Sequence, residues 1–391
     1  MNAALEVFVV FLKLGLRSFG GPIAHIGYFH RELVARRRWV DDAQYAQLVA
    51  ISQFLPGPAS SQVGFALGLL RAGAPGALAA FVGFTLPSAL LMFVFAQLMP
   101  RFDSVMGNAI LHGFKLVAVA VVAHGVVTMA PRLAPDVRRW LIAGAAALLT
   151  LYAGSTLVQL AVVAAGALLG TFLCRGDGAG SQVVLAVRYR LGASFGLLAL
   201  YVILLAVAFL SDAHLPQLIA AAKAFYRSGA LVFGGAHVVL PLLEEAVVNP
   251  GWIDHHEFLA GYGAAQAVPG PMFSVAAYLG ARLDAVPTSI AGASVSLVAI
   301  FLPGLVLMAA LLPLWQRIVA HPRALSAVAG INAAVLGILA AAWYDPVWTS
   351  SITSTSDAGI ALVGFVLLAY KRTSVLFVLL WCVGASLLTV L

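Results

Sequence analysis

Charge is what this sequence has least of. Asp, Glu, Lys and Arg make up 9% of its 391 residues, against 62% hydrophobic residues, and the mean hydropathy is +1.00. Such a chain cannot cover a soluble domain with polar surface, so its class is that of an integral membrane protein. Only two cysteines occur. Cys174 and Cys382 stand at the ends of hydrophobic segments without metal-ligand spacing, and are expected to be ordinary membrane-facing thiols with no disulfide. No phosphate-binding loop, nucleophile elbow or HExxH occurs, which leaves neither an ATP-driven pump nor a conventional membrane hydrolase supported. The opening stretch MNAALEVFVVFLKLGLRSFGG lacks a basic n-region and a small-residue cleavage site, so it reads as mature protein. Asp254, His255, His256 and Glu257 invite a metal reading, but adjacent side chains do not make a ligand cage, and a solvated loop is expected. No cofactor and no metal are implied. The net charge of +7 lies largely in short loops, where the positive-inside effect accounts for it, and no nucleic-acid partner is expected.

What is present in abundance is apolar sequence in lengths that suit about 30 Å of hydrocarbon: 76–99, 105–130, 140–153, 156–174, 193–210, 286–314, 324–343, 358–370 and 375–391. Backbone in lipid must satisfy its own hydrogen bonds, so the expected fold is an all-α polytopic membrane protein.

Two distant regions of the chain repeat each other. Phe19-Gly20-Gly21 falls on Phe233-Gly234-Gly235, Glu32 on Glu245, Trp39 on Trp252 and Asp41 on Asp254. Gln53 then meets Gln266, and Pro56-Gly57-Pro58 meets Pro269-Gly270-Pro271, at a constant offset of 213 residues from Glu32 onward. The chain therefore reads as a tandem duplication. Its expected parts are an N-terminal half at 1–175, a linker with one extra span at 176–212, and a C-terminal half at 213–391. Each half has Gly/Pro-broken segments followed by four uninterrupted helices. If the first Pro-Gly-Pro segment crossed fully, most later loop cations would lie opposite Arg36-Arg37-Arg38. If it enters and returns on one side, fifteen loop cations share the inner side and only Arg101 and Arg282 lie outside, as the positive-inside rule prefers. The expected topology is thus re-entrant, with the two halves inverted about an axis in the membrane plane. Both Phe-Gly-Gly segments are expected to be broken or partly re-entrant.

Five cations sit inside hydrophobic segments: Lys13, Arg17, Lys115, Lys223 and Arg227; among the acids only Glu6 is comparably placed. A Lys or Arg at the bilayer centre costs about 2.5–3.5 kcal/mol even on the lenient insertion scale, so these side chains are expected to face a polar cavity and an anion. Snorkelling to headgroups stays open as the alternative. Pro-Gly-Pro supplies a second anion-binding element. Proline stops the incoming helix, glycine lets the chain reverse, and the helix restarting at Pro58 presents free N–H groups at the positive end of its dipole. Ser60, Ser61 and Gln62 add donors in the first copy and Ser274 in the second, with Gln53 and Gln266 three residues before each turn. A kinked packing helix is the plainer reading of Pro-Gly-Pro, and close helix packing that of Phe-Gly-Gly. His25, His124 and His237 are candidate proton carriers, with packed histidines as the alternative.

The motifs SFGGPIAH and LPGP followed by Gln62, with VFGGAH and VPGP in the second half, resemble the chromate ion transporter family over essentially the whole chain, in its long two-domain form. The resemblance implies a multi-pass bacterial inner-membrane transporter that moves chromate outward and confers chromate resistance, with sulfate as the chemically similar oxyanion. Carried over by position, its motif residues are Phe19, Gly20, Gly21, Pro22, His25, Gln53, Pro56, Gly57, Pro58 and Gln62, then Phe233, Gly234, Gly235, His237, Gln266, Pro269, Gly270 and Pro271. Ala236 stands where Pro22 would repeat. The expected substrate site joins Lys13, Arg17, Lys115 and Arg227 to these elements, with His25 and His237 as a proton relay. The lipid bilayer and chromate are the expected partners. A sulfate or other oxyanion carrier, an anion channel, and an enzyme acting on anionic lipid are the competing readings, and a homodimer is left open.

Overall fold

The computed structural model describes residues 2–389 apart from 20, 103, 154–155, 175–188, 190, 211–214, 234–237, 285, 316–317, 319–320 and 371–372. Its regular elements are helical throughout, and the described residues hold no strand. In order they are α1 (Ala3–Arg17), α2 (Gly21–Phe29), a π-helical segment (His30–Arg36), α3 (Asp42–Phe54), α4 (Ala59–Leu98), α5 (Val105–Leu133), α6 (Val137–Ala153), α7 (Thr156–Leu173), α8 (Leu191–Ala208), α9 (Gln217–Leu231), α10 (Val239–Val247), α11 (His255–Ala267), α12 (Val275–Ala281), α13 (Ser289–Leu311), α14 (Pro322–Ala342), α15 (Thr355–Ala369) and α16 (Val375–Leu388). Among the described residues five stretches, Ala59–Leu98, Val105–Leu133, Leu191–Ala208, Ser289–Leu314 and Arg323–Ser351, are long and apolar enough to cross a membrane. The protein is a multi-pass membrane protein.

Local chemistry places the helix starts. Asp41 caps α3 by accepting from the Gln44 amide while the Gln44 side chain returns to the Asp41 amide, a capping box. Its repeat counterpart Asp254 caps α11 through the amides of His256 and Glu257. The aspartate shared by the two copies is thus a helix start in both. Just upstream, Arg38 and Gly251, again 213 residues apart, both have positive φ, 52° and 74°.

The chain forms two compact units. The first comprises Met1–Leu91, Asp177–Ala236 and Pro269–Ala324. Its core gathers Val7, Val10, Phe11 and Leu14 from one face of α1, and Phe11, Phe29 and Phe84 meet edge to face at 5.0–6.5 Å. Two glycines let helices approach closely here. A Cβ on Gly15 would stand 2.7 Å from the Phe84 carbonyl oxygen, and one on its counterpart Gly229 would stand 2.0 Å from that of Ile300. α4 is broken at Ala72 and Gly73, the latter at φ 66°. Residues 59–71 therefore rise only about 20 Å at 1.5 Å per residue, too short for the hydrocarbon layer. Past the break the chain doubles back, bringing Gly76 and Ala80 against Gly68. The second copy has the same plan: the short 272–281 helical stretch is followed by α13, with Gly280 packed on Gly292.

The second unit comprises Met92–Gly176, His237–Val268 and Leu325–Leu391. α5 packs against α11, α15 and α16, with Gly263 seated on Phe114 and Gly113 on Val383. Cys382 lies wholly buried in the core with Leu116, Val117 and Val378, and Cys174 is buried beside Ile142 and Ala333. The thiols expected to face lipid are packed inside this unit instead, because each follows an apolar face that meets another helix.

Candidate functional site

The two Pro-Gly-Pro turns belong to the first unit, and each reaches into the other repeat. Gly57 donates its N–H to the Val232 carbonyl at 2.7 Å, and Gly270 donates to the Ser18 carbonyl at 2.9 Å. Ser18 and Val232 are the residues just before Phe19 and Phe233, so the exchange is reciprocal. Both glycines have φ values, 119° and 102°, that side-chain-bearing residues rarely adopt. Their neighbours are also exchanged: Gly57 lies on Gly304, and Gly270 on Ser88. Gly304 and Ser88 themselves occupy matching places, in Leu302-Pro303-Gly304 and Leu86-Pro87-Ser88.

Side chains reinforce the first turn. Gln62 uses its amide hydrogens on the carbonyls of Pro56 (2.8 Å) and Gly304 (3.1 Å), so it holds the turn closed. Buried His25 has Nε2 3.1 Å from the Ser18 carbonyl and Nδ1 3.2 Å from Ser60 Oγ. A carbonyl can only accept, which fixes the proton on Nε2 and leaves Nδ1 to accept from the Ser60 hydroxyl. His25 thereby ties the first turn to the same carbonyl that holds the second. Of the donors expected at this place, Gln62 and Ser60 are engaged by protein. Ser61 and Ser274, which are repeat counterparts, have buried hydroxyls with no hydrogen-bond partner among the described residues. The hydroxyl of Ser18 is in the same state. The start of α4 at Ala59 leaves the amides of Ala59, Ser60 and Ser61 without a backbone acceptor among the described residues.

A cavity of 630 Å³ in the same unit is lined by α1 residues Val10, Lys13, Leu14, Arg17 and Ser18, and by Tyr28, Arg31, Glu32, Arg36 and Arg37. Glu32 pairs with Arg36 at 3.1 Å and Arg37 at 2.6 Å. Burial alone would raise its carboxyl, but the two guanidiniums outweigh that and hold it below the usual carboxylate range. Glu6, the lone acid within an apolar stretch, receives Arg37 at 3.3 Å and Arg71 at 3.0 Å.

The remaining expected residues have separate surroundings. Arg227 donates to the Ala208 carbonyl at 3.2 Å and lies over the Phe209 ring, while Lys223 donates to the Leu210 carbonyl at 2.8 Å. Both finish the C-terminal end of α8. Arg227 is thus placed differently from its counterpart Lys13, which lines the cavity. Gln53 is exposed, and Phe19 and Gly21 flank the start of α2. Lys115 and Gln266 belong to the second unit. There Lys115 contacts His256 Nδ1 at 3.1 Å, and Gln266 hydrogen-bonds Tyr262. In this unit His112 pairs with Asp357 at 2.9 Å and His255 with Glu244 at 3.0 Å. Gly20, Gly234, Gly235 and His237 lie outside the described residues. Sequence reasoning did not single out Ser18, Val232 or Gly304, because they act here through backbone atoms. Position 18 and position 232 could be found only by asking which residues precede both Phe-Gly-Gly motifs.

The family model for chromate transporters matches residues 5–171 and again 217–388, so both Pro-Gly-Pro turns fall within matched sequence. The chain belongs to the chromate transporter family. Among its relatives, the chromate transport protein of Pseudomonas aeruginosa is 29% identical over 343 residues, covering 87% of this chain and 80% of that one. A probable chromate transport protein of Synechococcus elongatus is 28% identical over 344 residues, covering 85% and 81%. The chromate transport protein of Cupriavidus metallidurans is 26% identical over 373 residues, covering 94% and 89%. No solved structure matches this family member. Membership supports chromate transport, and the relatives it groups with carry the names of transport proteins.

Proposed function

We propose that this chain is a secondary transporter that exports chromate across the bacterial inner membrane, holding the oxyanion at the crossing of its two Pro-Gly-Pro turns. The observation that carries this reading is the pair of buried, unpartnered hydroxyls of Ser61 and Ser274 at matching positions beside turns that exchange hydrogen bonds. Each unsatisfied buried hydroxyl costs about 1–3 kcal/mol, a cost a bound oxyanion would remove. The amides at the start of α4 supply further donors to negative charge. Lys13 and Arg17 line the cavity that reaches Ser18.

The re-entrant, inverted plan is part of the same proposal. Arg37 and Arg71 flank the first Pro-Gly-Pro segment in sequence, yet both pair with Glu6. That shared partner supports entry and return on one face. With inverted halves from 1–175 and 213–391 moving about the crossing, access alternates between the two sides. Expelling a dianion from a negative interior gains about 4.6 kcal/mol per 100 mV, so outward transport needs no ATP.

The test is uptake of labelled chromate into inverted membrane vesicles, with sulfate as competitor and with the potential and the pH gradient collapsed separately. Saturable, potential-dependent accumulation is expected. Absence of accumulation under every gradient rules the proposal out; stronger sulfate than chromate flux reassigns the substrate, and unitary currents in a bilayer reassign the chain as a channel.

A further inference from the structure

The 630 Å³ cavity of the first unit has a strongly cationic lining. Five cations and one acid line it, and the acid is taken by Arg36 and Arg37. Lys13 and Arg17 stand four residues apart on α1, where like charges repel, and neither has an ion-pair or hydrogen-bond partner among the described residues. Arg31 lies 4.9 Å from the centre of the Tyr28 ring, an arrangement that positions the guanidinium without neutralising it. The ionisable cluster of the second unit is the contrast: there His112 meets Asp357 and His255 meets Glu244.

Size decides what the cavity can take. At about 30 Å³ per water, 630 Å³ has room for a tetrahedral oxyanion together with a large part of its hydration shell. The Ser61 and Ser274 hydroxyls, by contrast, are buried. Ser18 connects the two places: its unpartnered hydroxyl belongs to a residue lining the cavity, and its carbonyl carries Gly270 and His25.

We infer that the Lys13–Arg17 cavity is a separate capture site for hydrated tetrahedral dianions, with Arg31 and Tyr28 at its wall and Ser18 as the point of transfer toward the turns. This rests on the oxyanion-transport reading and divides its site in two. Capture depends on long-range charge and accepts chromate and sulfate alike; dehydration and selection occur at the turns. The charge these groups recognise could also be brought by a phospholipid headgroup, and the test separates the two sources.

Sulfate binding to the purified full chain is measured by equilibrium dialysis, and transport in vesicles is measured at low and high ionic strength. A double variant, Lys13→Gln with Arg17→Gln, should lose one class of sulfate site. Its KM should rise about ten-fold at low salt, with the difference shrinking toward two-fold near 1 M salt and kcat changing less than KM. Lys13→Arg with Arg17→Lys should keep the site, which separates charge from folding; Arg323→Gln is the control for loss of any one cation. Unchanged sulfate binding in the Gln pair overturns the capture site while leaving the transport proposal standing. An equal loss of kcat also overturns it. Wild-type sulfate binding that Lys13 and Arg17 control, without any oxyanion transport, keeps the cavity and removes the transport reading. Finally, sulfate binding that survives in phosphatidylcholine nanodiscs but is abolished when a third of the lipid is phosphatidylglycerol assigns the cavity to headgroups and overturns capture of the free ion.

Discussion

Arg38 and Gly251 occupy the same point of the two repeats with φ on the positive side, but only one of them is glycine. A left-handed conformation costs a side-chain-bearing residue about 1–2 kcal/mol. Arg38→Gly is therefore expected to leave the fold as stable or raise its stability by up to about 1 kcal/mol, and Gly251→Ala to lower it by a similar amount, read as melting temperature in detergent. The orphan hydroxyls give a sharper residue-level outcome. Ser61→Ala and Ser274→Ala delete a group with no partner among the described residues, so stability should hold or increase by about 1 kcal/mol. Transport should fall in both, since the deleted donors are those assigned to the oxyanion. Loss of stability together with transport would mean that the hydroxyls are structural and would remove them from the site.

At the scale of the element, helix approach is set by glycines whose counterparts repeat the same contact. Gly15→Val and Gly229→Val would each force a side chain into a helix backbone, against Phe84 and Ile300. Overpacking of this kind costs about 1–3 kcal/mol, and the two variants should destabilise the chain to similar degrees in thermal unfolding. Much of this level was legible in the sequence. The apolar stretches 105–130, 140–153 and 156–174 correspond to Val105–Leu133, Val137–Ala153 and Thr156–Leu173, since hydrophobic length in a membrane leaves helix as the only solution. The break of α4 at Ala72–Gly73 was covered by its apolar surroundings. The trade of amides and carbonyls between Gly57, Val232, Gly270 and Ser18 had no residue-type signature at its acceptor ends. Which of the named side chains are already engaged, as Gln62 and Arg227 are, depends on partners distant in sequence.

For the whole molecule, the decisive question is which side of the membrane each turn faces. Single cysteines introduced at Arg38, Ala74 and Asn249, all exposed positions, test this with a membrane-impermeant thiol reagent. Burial of Cys174 and Cys382 keeps the native background low. Under the proposed re-entrant plan, Arg38→Cys and Ala74→Cys are expected to react from one side and Asn249→Cys from the other. Labelling of the 38 and 74 positions from opposite faces would mean that the first Pro-Gly-Pro segment crosses fully, and the re-entrant plan would fall.

The reciprocal glycine contacts also impose an order on biosynthesis. Gly57 leaves the ribosome long before Val232, the acceptor of its amide, and the Ser18 carbonyl waits longer still for Gly270. During that interval the first half sits in the bilayer with the Gly57 amide lacking its final acceptor and the Ser18 carbonyl held by His25 alone, and an unmatched backbone donor in hydrocarbon is costly enough to keep its helices from settling. Long-range closure of this kind makes the last steps slow and dependent on the complete chain. A nascent chain stalled before residue 232 should therefore be cleared by membrane proteases, while the same half supplied with the other half as a separate polypeptide should accumulate.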